Sequence, residues 1–245
     1  MTLRPFLAGC AVLAAASSTQ VAAAPMPVTF KATDGVIVHG LYDTPAHPKA
    51  LLLLFHQAGS SKAEYATIAP RLVAAGFGTL AVDQRSGGSL YGPNETAAAL
   101  GRPASYDEGR LDLEAALAWG VDHKLPVALW GSSYSAALVL EVAAAHPRQV
   151  AAVLAFSPGE YLDNKRAVGA AAAKLTIPLY VTSAANRSEV LAAADILKAS
   201  PSRTKVQYQP QAGIHGSSTL IRARDPEGAA ANWTAVLAFL RRVFG

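Results

Sequence analysis

Five consecutive residues, Leu51-Leu52-Leu53-Leu54-Phe55, carry no polar side chain. A strand alternates its side chains between two faces, so an apolar strand of this kind must be covered on both sides. That is the situation of a parallel strand inside a layered sheet. Other strand-like runs fall at 28–32, 36–42, 79–82, 127–130, 150–156, 179–182 and 205–209, and Ala/Leu-rich helical runs at 65–75, 108–121, 135–145, 189–199 and 229–243. Strands alternating with helices build parallel βαβ units, which predicts a doubly wound, mostly parallel eight-stranded α/β sheet with helices on both faces. The first two strands follow each other without a helix, so an antiparallel lead-in is expected. No repeat, linker or charge block divides residues 25–245, which predicts one domain. Residues 86–106, with Gly, Pro and Asn, read as one long loop, and loops of that length are commonly functional.

Composition removes several classes. Of 245 residues, 51% are hydrophobic and 16% charged, which excludes an intrinsically disordered chain. The net charge of +4 is small and carried by no cluster larger than pairs such as Arg241-Arg242. Nucleic acid is therefore not expected as a partner.

The amino terminus is read separately. Arg4, the apolar stretch from Phe6 to Ala16, and small residues at Val21-Ala22-Ala23-Ala24 have the layout of a secretory signal peptide cut near residue 24. A membrane span would need about 20 apolar residues, and Ser17-Ser18-Thr19-Gln20 interrupts this one. Leu7-Ala8-Gly9-Cys10 offers a second reading as a lipidation site on Cys10, although the apolar region continues past the cysteine instead of ending at it. Cleavage at 24 leaves a mature chain with no cysteine, no stable membrane span and a periplasmic or secreted destination.

Chemistry concentrates at three places. Gly131-Ser132-Ser133-Tyr134-Ser135 lies between a strand and a helix, where small flanking residues let a strained serine stand exposed at the apex of the turn. Ser133 is the candidate nucleophile; a plain helix N-cap is the bland alternative. His215, in Gly213-Ile214-His215-Gly216 just past the last strand, is the one histidine of six placed to serve as its base. His56-Gln57-Ala58-Gly59-Ser60 follows the buried strand 51–55. There is no His-Glu-x-x-His, no cysteine pair and no P-loop, so neither metal nor cofactor is expected.

The order Ser133, acid, His215, together with Asp83-Gln84-Arg85-Ser86-Gly87-Gly88 after the fourth strand, resembles the α/β-hydrolase superfamily over nearly all of residues 28–245. Within it the chain looks most like small, lidless carboxylesterase-like enzymes similar to dienelactone hydrolase, although the cysteine nucleophile of the latter is absent. The resemblance implies an oxyanion loop at 56–60, with the Ala58 N–H as donor by register and Gln57 as the alternative, and a second donor from Tyr134. His56 is read as bracing this loop. For the acid, the usual loop carries Asn186 where Asp is expected. Glu189, three residues on, is preferred, and Glu160, after the preceding strand, is the alternative. The expected lid region, 158–176, has room for one short helix at 167–174. These features imply a serine hydrolase of small soluble esters. Alternatives are an inactive binding or sensor protein of the same fold, or a peptidase or thioesterase with the same triad.

Overall fold

The computed structural model describes residues 24–245; the leader sequence read at residues 1–23, Cys10 included, lies outside the described residues. Eight strands form one sheet: β1 (Met26–Lys31), β2 (Ile37–Asp43), β3 (Leu51–Phe55), β4 (Gly78–Asp83), β5 (Val127–Ser132), β6 (Val150–Phe156), β7 (Leu179–Thr182) and β8 (Lys205–Tyr208). Their spatial order is β1-β2-β4-β3-β5-β6-β7-β8. β2 is antiparallel to both β1 and β4, and every other pairing is parallel. This is the α/β-hydrolase fold.

Alternation within β3 explains why no residue of 51–55 is polar. Leu51, Leu53 and Phe55 join the core on one face, packed with α3 (Arg110–Val121) and α4 (Tyr134–Ala145). Leu52 and Leu54 enter the core on the other face, with Trp233, Val236, Phe239 and Leu240 of α7 (Ala229–Phe244). All five are fully buried, and each contributes about 1.5–3 kcal/mol relative to exposure.

Two segments differ from the sequence expectation. The helix expected at 65–75 is instead a 3-10 turn, Lys62–Tyr65, followed by α1 (Ala69–Ala74). Pro70 has no N–H and a fixed φ, so it suits a helix start and not a helix interior. The stretch 86–106 is not all loop, because it contains α2 (Glu95–Leu100). Asn94 accepts the Ala97 N–H at 2.8 Å to open α2, and Gly101 at φ 69° closes it.

Between β6 and β7, residues 157–178 carry a single short helix, α5 (Ala167–Ala172). No larger insertion stands between β6 and β7, so the lid at this position is minimal. Among the described residues no helix is long and apolar enough to cross a membrane.

Candidate active site

Ser133 sits where β5 turns sharply into α4, at φ 60° and ψ −122°. An L-residue at that φ is strained, and its neighbours must leave room. Gly131 supplies that room, since a Cβ there would stand 2.3 Å from the Ser135 carbonyl oxygen. The Ser133 N–H donates to the Phe156 carbonyl at 2.8 Å, tying the turn to β6. Ser135 is more than a small replacement for glycine. Its hydroxyl donates to the His56 carbonyl at 2.5 Å and accepts from Gln84 Nε2 at 2.8 Å, joining the nucleophile turn to the loops after β3 and β4.

The loop after β8 delivers His215. Its Nε2 lies 2.7 Å from Ser133 Oγ and its Nδ1 3.1 Å from Glu189 Oε1. With Nδ1–H donating to the carboxylate, Nε2 is left as acceptor for the serine proton. Gly216, at φ 71°, lets this loop press against β5: a Cβ there would meet Ser132 Oγ at 2.5 Å.

Glu189 lies near the start of α6 (Arg187–Ala199), whose N-cap is Asn186. Glu189 Oε2 accepts the Ala184 N–H and Oε1 accepts from Asn186 Nδ2, each at 3.0 Å. Burial pushes this carboxyl upward, but the hydrogen bonds from His215, Ala184 and Asn186 outweigh it and hold the pKa down to about 2. It is therefore ionised wherever His215 could act as a base.

Glu160, the alternative acid, is placed elsewhere. Its oxygens accept the Val168 and Gly169 N–H groups at 3.0 and 2.8 Å, at the start of α5. A helix start offers unsatisfied donors, and they have taken this carboxylate. Gln57 also departs from its expected part. Its backbone N–H donates to Glu64 Oε2 at 2.8 Å and so is not free to meet an oxyanion. Among the described residues, the Ala58 and Tyr134 N–H groups have no acceptor within the chain, which leaves them available. His56 is fully buried. It donates from Nδ1 to the Gln57 carbonyl at 2.8 Å and accepts the Gln84 N–H on Nε2 at 3.1 Å, while burial lowers its pKa to about 4. It braces the loop as a neutral ring.

Glu64 is a buried residue of the candidate site that the sequence reading missed. One glutamate two positions from Lys62 looks like solvent-facing charge, yet it is 1% exposed and accepts the hydroxyl of Ser132, next to Ser133.

Beside His215 lies an open cleft of about 570 Å³, lined among others by Gln57, Leu90, Ile214, His215, Ser218 and Arg224. Tyr91 closes one side, its hydroxyl 2.6 Å from Ser218 Oγ and its ring centroid 5.7 Å from the Arg224 guanidinium. Leu100 ends α2 and is not among the residues lining the cleft. Among the described residues no three His, Cys, Asp or Glu side chains are grouped to hold a metal ion.

The family model described as serine aminopeptidase, S33, matches residues 46–215. No curated protein matches by sequence. Among solved structures, an esterase of Pyrococcus furiosus is 19% identical at a TM-score of 0.65, covering 90% of this chain and 93% of its own. The dienelactone hydrolase of Anabaena variabilis is also 19% identical, at a TM-score of 0.69 over 90% of this chain and 99% of that one. A thermostable carboxyl esterase of Bacillus coagulans is 12% identical at 0.70, covering 91% and 100%. At these identities the structural likeness establishes the shared fold. The family match spans more than half of the sequence, and the chain belongs to the serine aminopeptidase S33 family of α/β-hydrolases.

Proposed function

We propose that the protein is a serine hydrolase that cleaves small soluble carboxylic esters through an acyl-enzyme on Ser133. The observation that carries this reading is the unbroken contact line from Glu189 through His215 to Ser133, at 3.1 and 2.7 Å. His215 Nε2 takes the Ser133 proton as Oγ attacks the ester carbonyl, then gives it to the departing alcohol. Glu189 holds the ring in the tautomer that leaves Nε2 free and offsets the imidazolium charge. The Ala58 and Tyr134 N–H groups receive the carbonyl oxygen as it becomes negative. A water molecule, deprotonated by the same His215, releases the acid. Support comes also from the esterases among the structures of the same fold.

The family description raises a peptidase reading. An aminopeptidase must hold the substrate's α-ammonium, for which a carboxylate is the natural partner; the charged residue lining the cleft beside His215 is Arg224, a cation. The leader sequence, read as an export signal, puts this activity outside the cytoplasm, which cell fractionation tests.

A fluorophosphonate probe tests the core of the proposal. Heat-sensitive labelling that disappears in Ser133→Ala is expected. A native protein that takes no label is a binding protein of this fold and not a serine hydrolase. Ester and amino-acid anilide substrates compared side by side decide between esterase and peptidase.

A further inference from the structure

Three loops of the site meet on one buried carboxylate that the reaction above does not use. Glu64 Oε2 accepts the N–H of Gln57, the residue before Ala58, at 2.8 Å. Glu64 Oε1 accepts the hydroxyl of Ser132, the residue before the nucleophile, at 2.8 Å. Ser132 Oγ in turn accepts the N–H of Ser217, two residues past His215, also at 2.8 Å. Ser217 is itself fixed, since its hydroxyl accepts Trp130 Nε1–H at 2.8 Å from within β5. Among the described residues Glu64 has no ion-pair partner.

Donor counting shows which charge state this arrangement needs. A carboxylate donates nothing and accepts from both neighbours, so each of the three hydrogens that link Gln57, Glu64, Ser132 and Ser217 has an acceptor. A proton on Oε1 aimed at Ser132 Oγ would meet the Ser132 hydrogen head on, and that hydrogen would lose its acceptor. A proton on Oε2 would face the Gln57 N–H, donor against donor. In either case one buried bond breaks, and the loop carrying Ala58 or the turn carrying Ser133 is released.

We propose that Glu64, as the carboxylate, is a positioning residue for acyl transfer. It locks the oxyanion-loop backbone, the nucleophile turn and the histidine loop into one register. This rests on the reading of Ser133 as the nucleophile. Burial works against the charged form, raising the pKa from 4.5 to about 7 despite the hydrogen bonds from Gln57 and Ser132. The titratable groups facing it are His215 from the histidine loop and the Tyr65 phenol in its own turn. Its other neighbours, Gln57, Ser60 and Ser132, are uncharged. The lock therefore closes as pH rises through neutrality.

The test compares the native protein with Glu64→Gln on p-nitrophenyl acetate from pH 5.5 to 9. In the native protein the acid limb of log kcat/KM should be steeper than one proton, because Glu64 must be ionised and His215 neutral. In Glu64→Gln, kcat should fall about 10- to 100-fold, the scale of a small misplacement of reacting groups. KM should stay within about threefold, and the limb should return to one proton. A variant with kcat within about twofold of native, a loss carried by KM, or an unchanged slope overturns the proposal. Should Glu64→Gln not fold, Ser132→Ala removes one hydrogen bond from the same carboxylate and should move the acid limb to higher pH; an unmoved limb is equally fatal. Fluorophosphonate labelling runs alongside. An unlabelled native protein overturns the serine reading and this proposal together, whereas native labelling lost in Ser133→Ala with Glu64→Gln kinetics unaltered overturns the role of Glu64 alone.

Discussion

Asn186 and Glu189 hold each other at the first turn of α6. Asn186 Oδ1 accepts the Glu189 N–H at 3.0 Å, and Asn186 Nδ2 donates to Glu189 Oε1 at 3.0 Å. This reciprocal cap replaces the expected Asp with two residues sharing the work. The asparagine satisfies the helix start and orients the glutamate, and the glutamate brings the charge to His215.

That division ranks the acids. Glu189→Gln should lower kcat about 10³- to 10⁴-fold, because a neutral amide neither offsets imidazolium charge nor fixes the tautomer. Glu160→Gln should leave kcat within a few-fold and cost about 1 kcal/mol of stability through the start of α5. Steady-state kinetics and urea unfolding of both variants check this, and the reverse ranking refutes the assignment of the acid.

Removal of the base should be as severe as removal of the nucleophile. His215→Ala is expected to lose about 10⁴-fold or more in kcat, since triad members act as one unit, while its circular dichroism and urea midpoint stay near native. Retained turnover in a folded variant would refute the triad.

Substrate size should follow from the uncovered cleft. With one short helix between β6 and β7, p-nitrophenyl esters of about two to six acyl carbons should be preferred. Each buried methylene should add at most about 0.8 kcal/mol until the cleft ends. A maximum at long chains, or a jump in rate above the critical micelle concentration, would contradict the open site.

Glu64 and His56 should leave opposite marks on stability. The folded pKa of Glu64 is raised to about 7, so its contribution is fully present below its ordinary 4.5 and is lost as pH rises toward 7. The folded pKa of His56 is lowered to about 4, so its contribution is full above 6.5 and is lost as pH falls toward 4. Between 4.5 and 6.5 the two slopes cancel. Glu64→Gln removes one of them, and its stability relative to native should climb across that interval by on the order of 3 kcal/mol, at about 1.4 kcal/mol per pH unit. Urea unfolding of both proteins at four or five pH values gives the difference directly, and a flat difference would mean that Glu64 does not titrate as described.

The sheet was legible because burial on both faces writes itself into the sequence. β3 is an uninterrupted apolar run, and β5 through β7 are nearly so. Ser133 and His215 were legible because strand-turn-helix geometry and glycine-flanked loops need particular small residues nearby. α2 was hidden by its shortness, although Asn94 and Gly101 mark its two ends. Glu64 and the Gln57 backbone were not legible at all. Their roles come from three loops converging in space, and neither residue type nor local spacing records that convergence. Glu160 misled for a related reason: a carboxylate just past a strand looks placed for His215, but a nearby helix start had the stronger claim on its oxygens.

The proposed triad is also a late event in the life of the chain. The serine and its base are 82 positions apart, and the acid and the base 26. The imidazole follows β8, the edge strand that pairs with β7. Parallel strands joined through helices close slowly, since each contact spans many residues. A ribosome-bound or partly folded chain carries the exposed serine long before it carries the group that activates it. Hydrolytic activity therefore reports completion of the sheet, and recovery of turnover during refolding should trail the recovery of helical signal.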